Sequence, residues 1–223
     1  MTCPEQSCAI FGGTFDPVHN GHLRSAVEVR EALGVAKVRL IPACRPPHRD
    51  QPATAPADRL EMLKLATRGI DYIEIDDREI KREGKSYTID TLESIRDEAG
   101  TEVSMSLVLG SDAWAILDTW RDWQRLTDLV HVVILRRAGQ EPDEPEVVRT
   151  WSRAKLAENP AALQAHAHGL ICRIEVTRLD ISATRIRELF STGRSPDYLM
   201  PGEVIEYIRG KGLYNYRRPE TLC

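Results

Sequence analysis

Short apolar runs alternate with helical stripes along this chain. Residues 8–11 form an apolar run ending at Gly12-Gly13 and predict a first strand. Over 22–33, Leu23, Ala26, Val27 and Leu33 share one helical face, Arg24, Glu28 and Glu31 the other, and Gly34 stands where a helix stops. Residues 37–41 predict a strand, and prolines 46, 47, 52 and 56 mark 43–56 as a loop. A helix is expected over 58–68 with Leu60, Leu63 and Ala66 inward, then a short strand at 73–75. Residues 86–99 carry Ile89, Leu92 and Ile95 on one helical face and stop at Gly100. Strands are expected at 103–109, 130–135 and 170–176, with a polar peripheral helix over 141–167. Two last helices, 182–190 and 201–209, precede Gly193 and Gly210, with Pro201 suited to a first helical turn.

Strands and helices alternating at this spacing imply an α/β fold, a doubly wound, mostly parallel sheet covered on both faces. No repeat or low-complexity tract interrupts it. The 223 residues are 42% hydrophobic and 29% charged, enough for a large core, and the formal charge is −4. A mildly acidic chain lacks the overall basic field of a nucleic-acid binder. No apolar run approaches the ~18 residues of a membrane span. Residues 1–13 carry no secretory pattern, so a cytoplasmic protein is expected. The five cysteines contain no C-x-x-C pair, which argues against zinc sites and disulfide scaffolds.

The densest chemistry lies in Gly12-Gly13-Thr14-Phe15-Asp16-Pro17-Val18-His19-Asn20-Gly21-His22. A glycine pair after a strand lets backbone N–H groups approach a phosphate, and a helix starting near Gly21 points its positive end there. His19 and His22 are separated by a rise of only ~4.5 Å on a helix, so both rings can face one anion. No G-x-G-x-x-G occurs. Gly84-Lys85-Ser86 imitates a P-loop tail, but Glu79 replaces its leading glycine and no strand feeds it. Two ordinary histidines on a structural turn are the plain alternative. Far downstream, Ile181-Ser182-Ala183-Thr184-Arg185-Ile186-Arg187 reads as a capped helix start with basic first turns.

H-x-G-H after a first strand, paired with I-S-x-T-x-I-R, resembles the nucleotidyltransferase superfamily. Over residues 9–214 the chain resembles bacterial nicotinate-nucleotide adenylyltransferases, through GGTFDPVHNGH, IPACRPPHR, GKSYTIDTL, LGSDAWAILDTWRDW, ILRRAG, ISATRIR and GLY. Ala183 and Ala138 depart from the Ser and Pro common among relatives. The resemblance implies a Rossmann-like single domain over 1–223, with an α/β core at 8–180 and a C-terminal helical extension at 181–223.

It also implies joining of nicotinate mononucleotide to ATP, giving deamido-NAD and pyrophosphate. His19, His22 and His48 become the catalytic and phosphate-contacting residues. Gly12, Gly13, Thr14, Phe15, Gly21, Gly110, Asp112, Arg137, Ser182, Thr184 and Arg187 become ATP-binding residues. Asp112 would accept the ribose hydroxyls, although a helix cap reads almost as well. Tyr87, Thr88, Trp120 and Arg121 become mononucleotide-binding residues, while Trp114 and Trp123 read as core. Mg2+ is expected with ATP, and no dedicated carboxylate cage for a metal is visible. The expected partners are ATP and nicotinate mononucleotide, not nucleic acid or membrane, with a homo-oligomer left open. The alternatives are a related enzyme acting on nicotinamide mononucleotide or phosphopantetheine, and a nucleotide-binding regulator without turnover. Two anionic substrates in an acidic protein call for a local positive pocket built from the His and Arg residues.

Overall fold

The computed structural model describes residues 7–45, 51–137 and 143–216, with the backbone alone at Arg137. Six strands form one sheet: β1 (Cys8–Gly13), β2 (Lys37–Pro42), β3 (Ile73–Ile75), β4 (Met105–Gly110), β5 (His131–Arg137) and β6 (Ile171–Val176). Their order is β3-β2-β1-β4-β5-β6, and every pairing is parallel. The chain winds outward from β1 to one edge, then restarts at β4 and winds to the other. The crevice between the carboxyl ends of β1 and β4 is therefore the topological switch point, where ligands of open α/β sheets bind.

The strands' alternation sorts two cores. Ala9, Val38, Leu40, Val108 and Val133 face one layer, formed by α1 (Asn20–Leu33), α2 (Pro56–Ala66), α8 (Ala183–Ser191) and α9 (Gly202–Lys211). Ile10, Ile41, Leu107, Leu109 and Val132 face the other, with α4 (Thr88–Ala99) and α6 (Leu126–Leu129). Short helices α3 (Arg78–Lys81), α5 (Ser111–Trp114) and α7 (Glu146–Arg153) fill the connections.

Several boundaries differ from the pattern reading. Gly12 and Gly13 belong to β1, paired with Ile41 and Pro42, so the turn begins only at Thr14. Pro201 precedes α9 as its N-cap rather than entering it. The expected helix over 141–167 is instead α7 followed by a 3-10 turn at Pro160–Ala165. Pro160 cannot donate to a preceding turn, which ends the helix reading there. Nor is that segment wholly peripheral. Val148, Ser152 and Leu163 are buried, and the Glu144 carboxylate accepts the Trp114 indole N–H at 2.7 Å. On α2 the buried face is Arg59, Met62, Leu63 and Ala66, so Leu60 is only half-buried.

Arg59 is fully buried because its guanidinium serves the backbone. It donates to the carbonyls of Thr14 at 2.8 Å, Ala43 at 2.6 Å and Cys44 at 3.2 Å. It thereby ties the turn after β1 to the chain leaving β2. Arg96 does similar work at the opposite end of the sheet, donating to the carbonyls of Leu129, Gly100, Val103 and Ala167.

Candidate active site

A cleft of about 1340 Å³ opens at the switch point. Every site residue expected from the sequence lines it except His48 and Arg137. His48 lies outside the described residues, as does the Arg137 side chain. Ala43, Gln51, Pro52 and Ala53, on either side of the His48 segment, line the cleft. At the end of β5 the neighbouring Arg136 also lines it, a cation the motif reading passed over.

The two histidines are stacked, with ring centroids 3.7 Å apart. The His22 Nδ1 accepts the His19 backbone N–H at 3.3 Å. A ring that accepts at Nδ1 carries its proton on Nε2, so His22 offers an N–H donor from that atom. His19 is buried beneath it, and burial lowers its pKa to about 4. It is therefore neutral at pH 7. The positive pocket expected of the His and Arg residues therefore draws no charge from His19 at that pH. The His19 Nδ1 has no hydrogen-bond partner among the described residues.

Gly21 makes the stack feasible. A Cβ there would sit 3.0 Å from the His19 Cε1 and Nδ1 atoms. Phe15, buried at a positive φ of 50°, presents its ring edge to His22 with centroids 5.0 Å apart. At the start of α1, the Asn20 N–H is held by the Leu199 carbonyl, and those of His22 and Leu23 by His19. Among the described backbone bonds, this leaves Gly21 as the first-turn N–H donor for an anion.

Asp16 fastens this turn to distant segments. Its carboxylate accepts the Ala53 N–H at 2.6 Å, the Thr54 hydroxyl at 2.6 Å and the Tyr214 hydroxyl at 2.7 Å. Its carbonyl accepts Arg187 Nη1 at 2.8 Å, while Arg187 Nη2 reaches the Thr184 hydroxyl at 3.1 Å. Ser182 caps α8 by accepting the Arg185 N–H at 3.2 Å, as its position predicted. Thus I-S-x-T-x-I-R docks beside H-x-G-H, with Asp16 as the joint. Glu28 adds a second tie, accepting the Thr177 N–H at 2.7 Å and the Thr177 hydroxyl at 2.5 Å from α1.

Asp112 is not a cap. Gly110 holds the N-cap position of α5, and Asp112 lies exposed inside its first turn. A Cβ on Gly110 would meet Asp112 Oδ1 at 2.7 Å, so the glycine lets the carboxylate fold back over the end of β4. Also lining the cleft, Arg121 pairs with Asp90 and lies 4.2 Å above the Tyr87 ring. One face of Tyr87 is therefore covered by Arg121. Trp120 is half-buried against the second core, Trp114 is fully buried and Trp123 packs on that core edge-on to Trp151. Arg121, Arg136, Arg178 and Arg187 all line the cleft, so its positive side is built from arginines.

A family model described as cytidylyltransferase-like matches residues 10–189. A protein of Pseudomonas syringae named probable nicotinate-nucleotide adenylyltransferase is 42% identical over 99% of this chain and 98% of its own length. A relative of the same name from Pseudomonas putida is 44% identical over 92% of this chain and 93% of its own. The chain belongs to the nicotinate-nucleotide adenylyltransferases of the cytidylyltransferase-like family. The fold is shared more widely. A Plasmodium falciparum nicotinic acid mononucleotide adenylyltransferase complexed with NaAD superposes with a TM-score of 0.70 at 17% identity. That match covers 95% of this chain and 98% of the other.

Asp16, Thr54, Arg59, Glu28 and Tyr214 were not anticipated as site residues. Asp16 and Tyr214 sat inside motifs that carry the family resemblance, which was the available signal. Arg59, Glu28 and Thr54 gave none, since the partners that tie them to the site are backbone groups or side chains remote in sequence.

Proposed function

We infer that this protein joins nicotinate mononucleotide to ATP, giving deamido-NAD and pyrophosphate. The observation that carries the reading is convergence. Motif residues from Gly12 to Arg187, far apart in sequence, line one cleft at the switch point. Its volume exceeds the roughly 300–1,000 Å³ of pockets for a single small molecule, as two nucleotides require.

In this reading a phosphate oxygen of the mononucleotide attacks the α-phosphorus of ATP. The bond from that phosphorus to the bridging oxygen breaks in line, and pyrophosphate leaves with the electron pair. The nucleophile is already an anion, so no strong base and no covalent intermediate are needed. Positioning and charge stabilisation do the work. His22 donates from Nε2 to the α-phosphate, and neutral His19 supports its ring from beneath. Arg187, Ser182, Thr184 and the positive end of α8 take the leaving phosphates. Asp112 takes the ribose hydroxyls, and Trp120 lies against the pyridine ring.

Magnesium would enter bound to the ATP phosphates, as part of that substrate, where it would neutralise charge on the leaving group. Of the carboxylates lining the cleft, Asp16 and Glu79 accept hydrogen bonds within the protein. No helix among the described residues is long and apolar enough to cross a membrane.

The test is pyrophosphate release with ATP and each of three acceptors. Turnover is expected with nicotinate mononucleotide. Faster turnover with nicotinamide mononucleotide or phosphopantetheine would reassign the substrate, and none with any acceptor would leave a binding protein.

A further inference from the structure

Gly212-Leu213-Tyr214 is a motif to which the mechanism above gives nothing to do. It forms a tight turn after α9. Gly212 caps α9 in the left-handed conformation, and Tyr214 and Asn215 follow at positive φ values of 58° and 54°. A tyrosine enters that region at a cost, which the packing around it must offset. The Tyr214 ring is buried beside Phe190 of α8, with centroids 6.2 Å apart, and its hydroxyl donates to Asp16 Oδ1 at 2.7 Å. Asp16 lines the cleft and Tyr214 does not, so Tyr214 reaches the reaction through Asp16.

Three donors converge on the Asp16 carboxylate. Oδ1 accepts the Tyr214 and Thr54 hydroxyls, and Oδ2 accepts the Ala53 N–H at 2.6 Å. An ionised carboxylate only accepts, so it can take all three. An asparagine would turn an N–H towards at least one of them. The chain on either side of this carboxylate is the working turn. Phe15, immediately before Asp16, sets its ring edge against His22 with centroids 5.0 Å apart. The Asp16 carbonyl accepts Arg187 Nη1 at 2.8 Å. One residue thus bears on the placement of both the histidine and the arginine that face the phosphates in the proposed reaction.

We propose that Tyr214 is a positioning residue for the transfer step, holding through Asp16 the turn that carries Phe15 and seats Arg187. The inference rests on the proposed function, because that reading assigns His22 and Arg187 to the phosphates. Its consequence is a split between kinetic constants. In that reading the ribose and pyridine contacts come from Asp112 and Trp120, on other segments. A loosened turn therefore misplaces groups that act on the transferring phosphate, and turnover falls while substrate binding is kept.

Tyr214→Phe, Asp16→Asn and the double variant test it, with Tyr207→Phe as the control. Tyr207 lies on α9 in the same C-terminal extension, but its hydroxyl donates to Asp58 of α2 at 2.8 Å, away from the turn. Pyrophosphate release is measured against each substrate, with a thermal melt of every variant, using the acceptor that the wild type turns over. Tyr214→Phe is expected to lower kcat about tenfold, with KM for both substrates within about threefold. The double variant should be no worse than Asp16→Asn, because both changes cut one link. Tyr207→Phe should keep kcat within about twofold of wild type. An unchanged kcat in folded Tyr214→Phe, a loss carried by KM alone, fully additive losses, or an equal loss in Tyr207→Phe would overturn the proposal. Tyr214→Phe alone decides the matter should Asp16→Asn fail to fold, since it removes a single hydroxyl. A wild type that prefers another acceptor would correct only the functional reading, and one inactive with every acceptor would overturn both. Active wild type with an unaffected Tyr214→Phe would sink only the role of Tyr214.

Discussion

Gly21→Ala separates stability from activity. Gly21 sits in the first turn of α1 without a positive φ, so alanine can adopt its backbone. On propensity alone the change favours the helix by up to about 1 kcal/mol. The new Cβ, however, would lie 3.0 Å from the His19 Cε1 and Nδ1 atoms, inside ordinary van der Waals contact. The His19 ring must give by a few tenths of an ångström. His22 stacks on it at 3.7 Å and must move as well. Misplacing a catalytic group by about 1 Å can cost on the order of 100-fold, so a shift of a few tenths should cost about tenfold in turnover. The expected outcome is a melting temperature at or above wild type with turnover down about tenfold. Pyrophosphate release under saturating substrates and a thermal melt on the same sample measure both. Wild-type turnover in a fully folded Gly21→Ala protein would refute the claim that the histidine stack is the working arrangement.

Other residues give further expectations. His22→Ala should lower turnover by orders of magnitude while the melt stays near wild type, because the ring is only partly buried. Trp120→Ala should raise KM for the mononucleotide more than for ATP, and an effect confined to ATP would place the wrong substrate there. Arg59→Met leaves the carbonyls of Thr14, Ala43 and Cys44 without their donor. At about 1 kcal/mol for each of the three part-buried hydrogen bonds lost, denaturant unfolding should show a loss of about 3 kcal/mol. Acid should destabilise the fold through His19 and His131, both held near a pKa of about 4 by burial. The unfolded chain takes up these protons near pH 6.5 and the folded chain does not. Their stabilisation is therefore complete above pH 6.5 and lost as pH falls towards 4, by roughly 3 kcal/mol for each ring. Urea unfolding at pH 7.5 and 5 reads this, and replacing His131 with an uncharged residue should flatten the profile.

Much of the architecture was legible because burial followed period. Ile89, Leu92 and Ile95 predicted the inner face of α4 and occupy it. Gly34 ends α1 in the left-handed conformation its position implied. Ser182 caps α8 for the reason its residue type suggested. Legibility failed where polar atoms did the packing. Arg59 occupies a core position because three carbonyls take its charge, and no hydrophobic pattern reports a carbonyl. The segment 141–167 looked like one polar helix, yet Glu144 reaches in to hold Trp114. H-x-G-H was visible as a motif, but the neutrality of His19 follows only from the rings and backbone packed over it. Glu79 breaks a P-loop pattern in the sequence, and its place in the cleft wall follows from the packing of α3 beside α4, to which it is tied through Thr91.

The most direct test of the account follows the transferred group itself. The protein is incubated with ATP labelled at the α-phosphate and with nicotinate mononucleotide, and the products are separated. The account predicts label in deamido-NAD and an equal amount of unlabelled pyrophosphate, both lost in His22→Ala. Label recovered only as AMP or ADP, or a dinucleotide formed undiminished by His22→Ala, would contradict it.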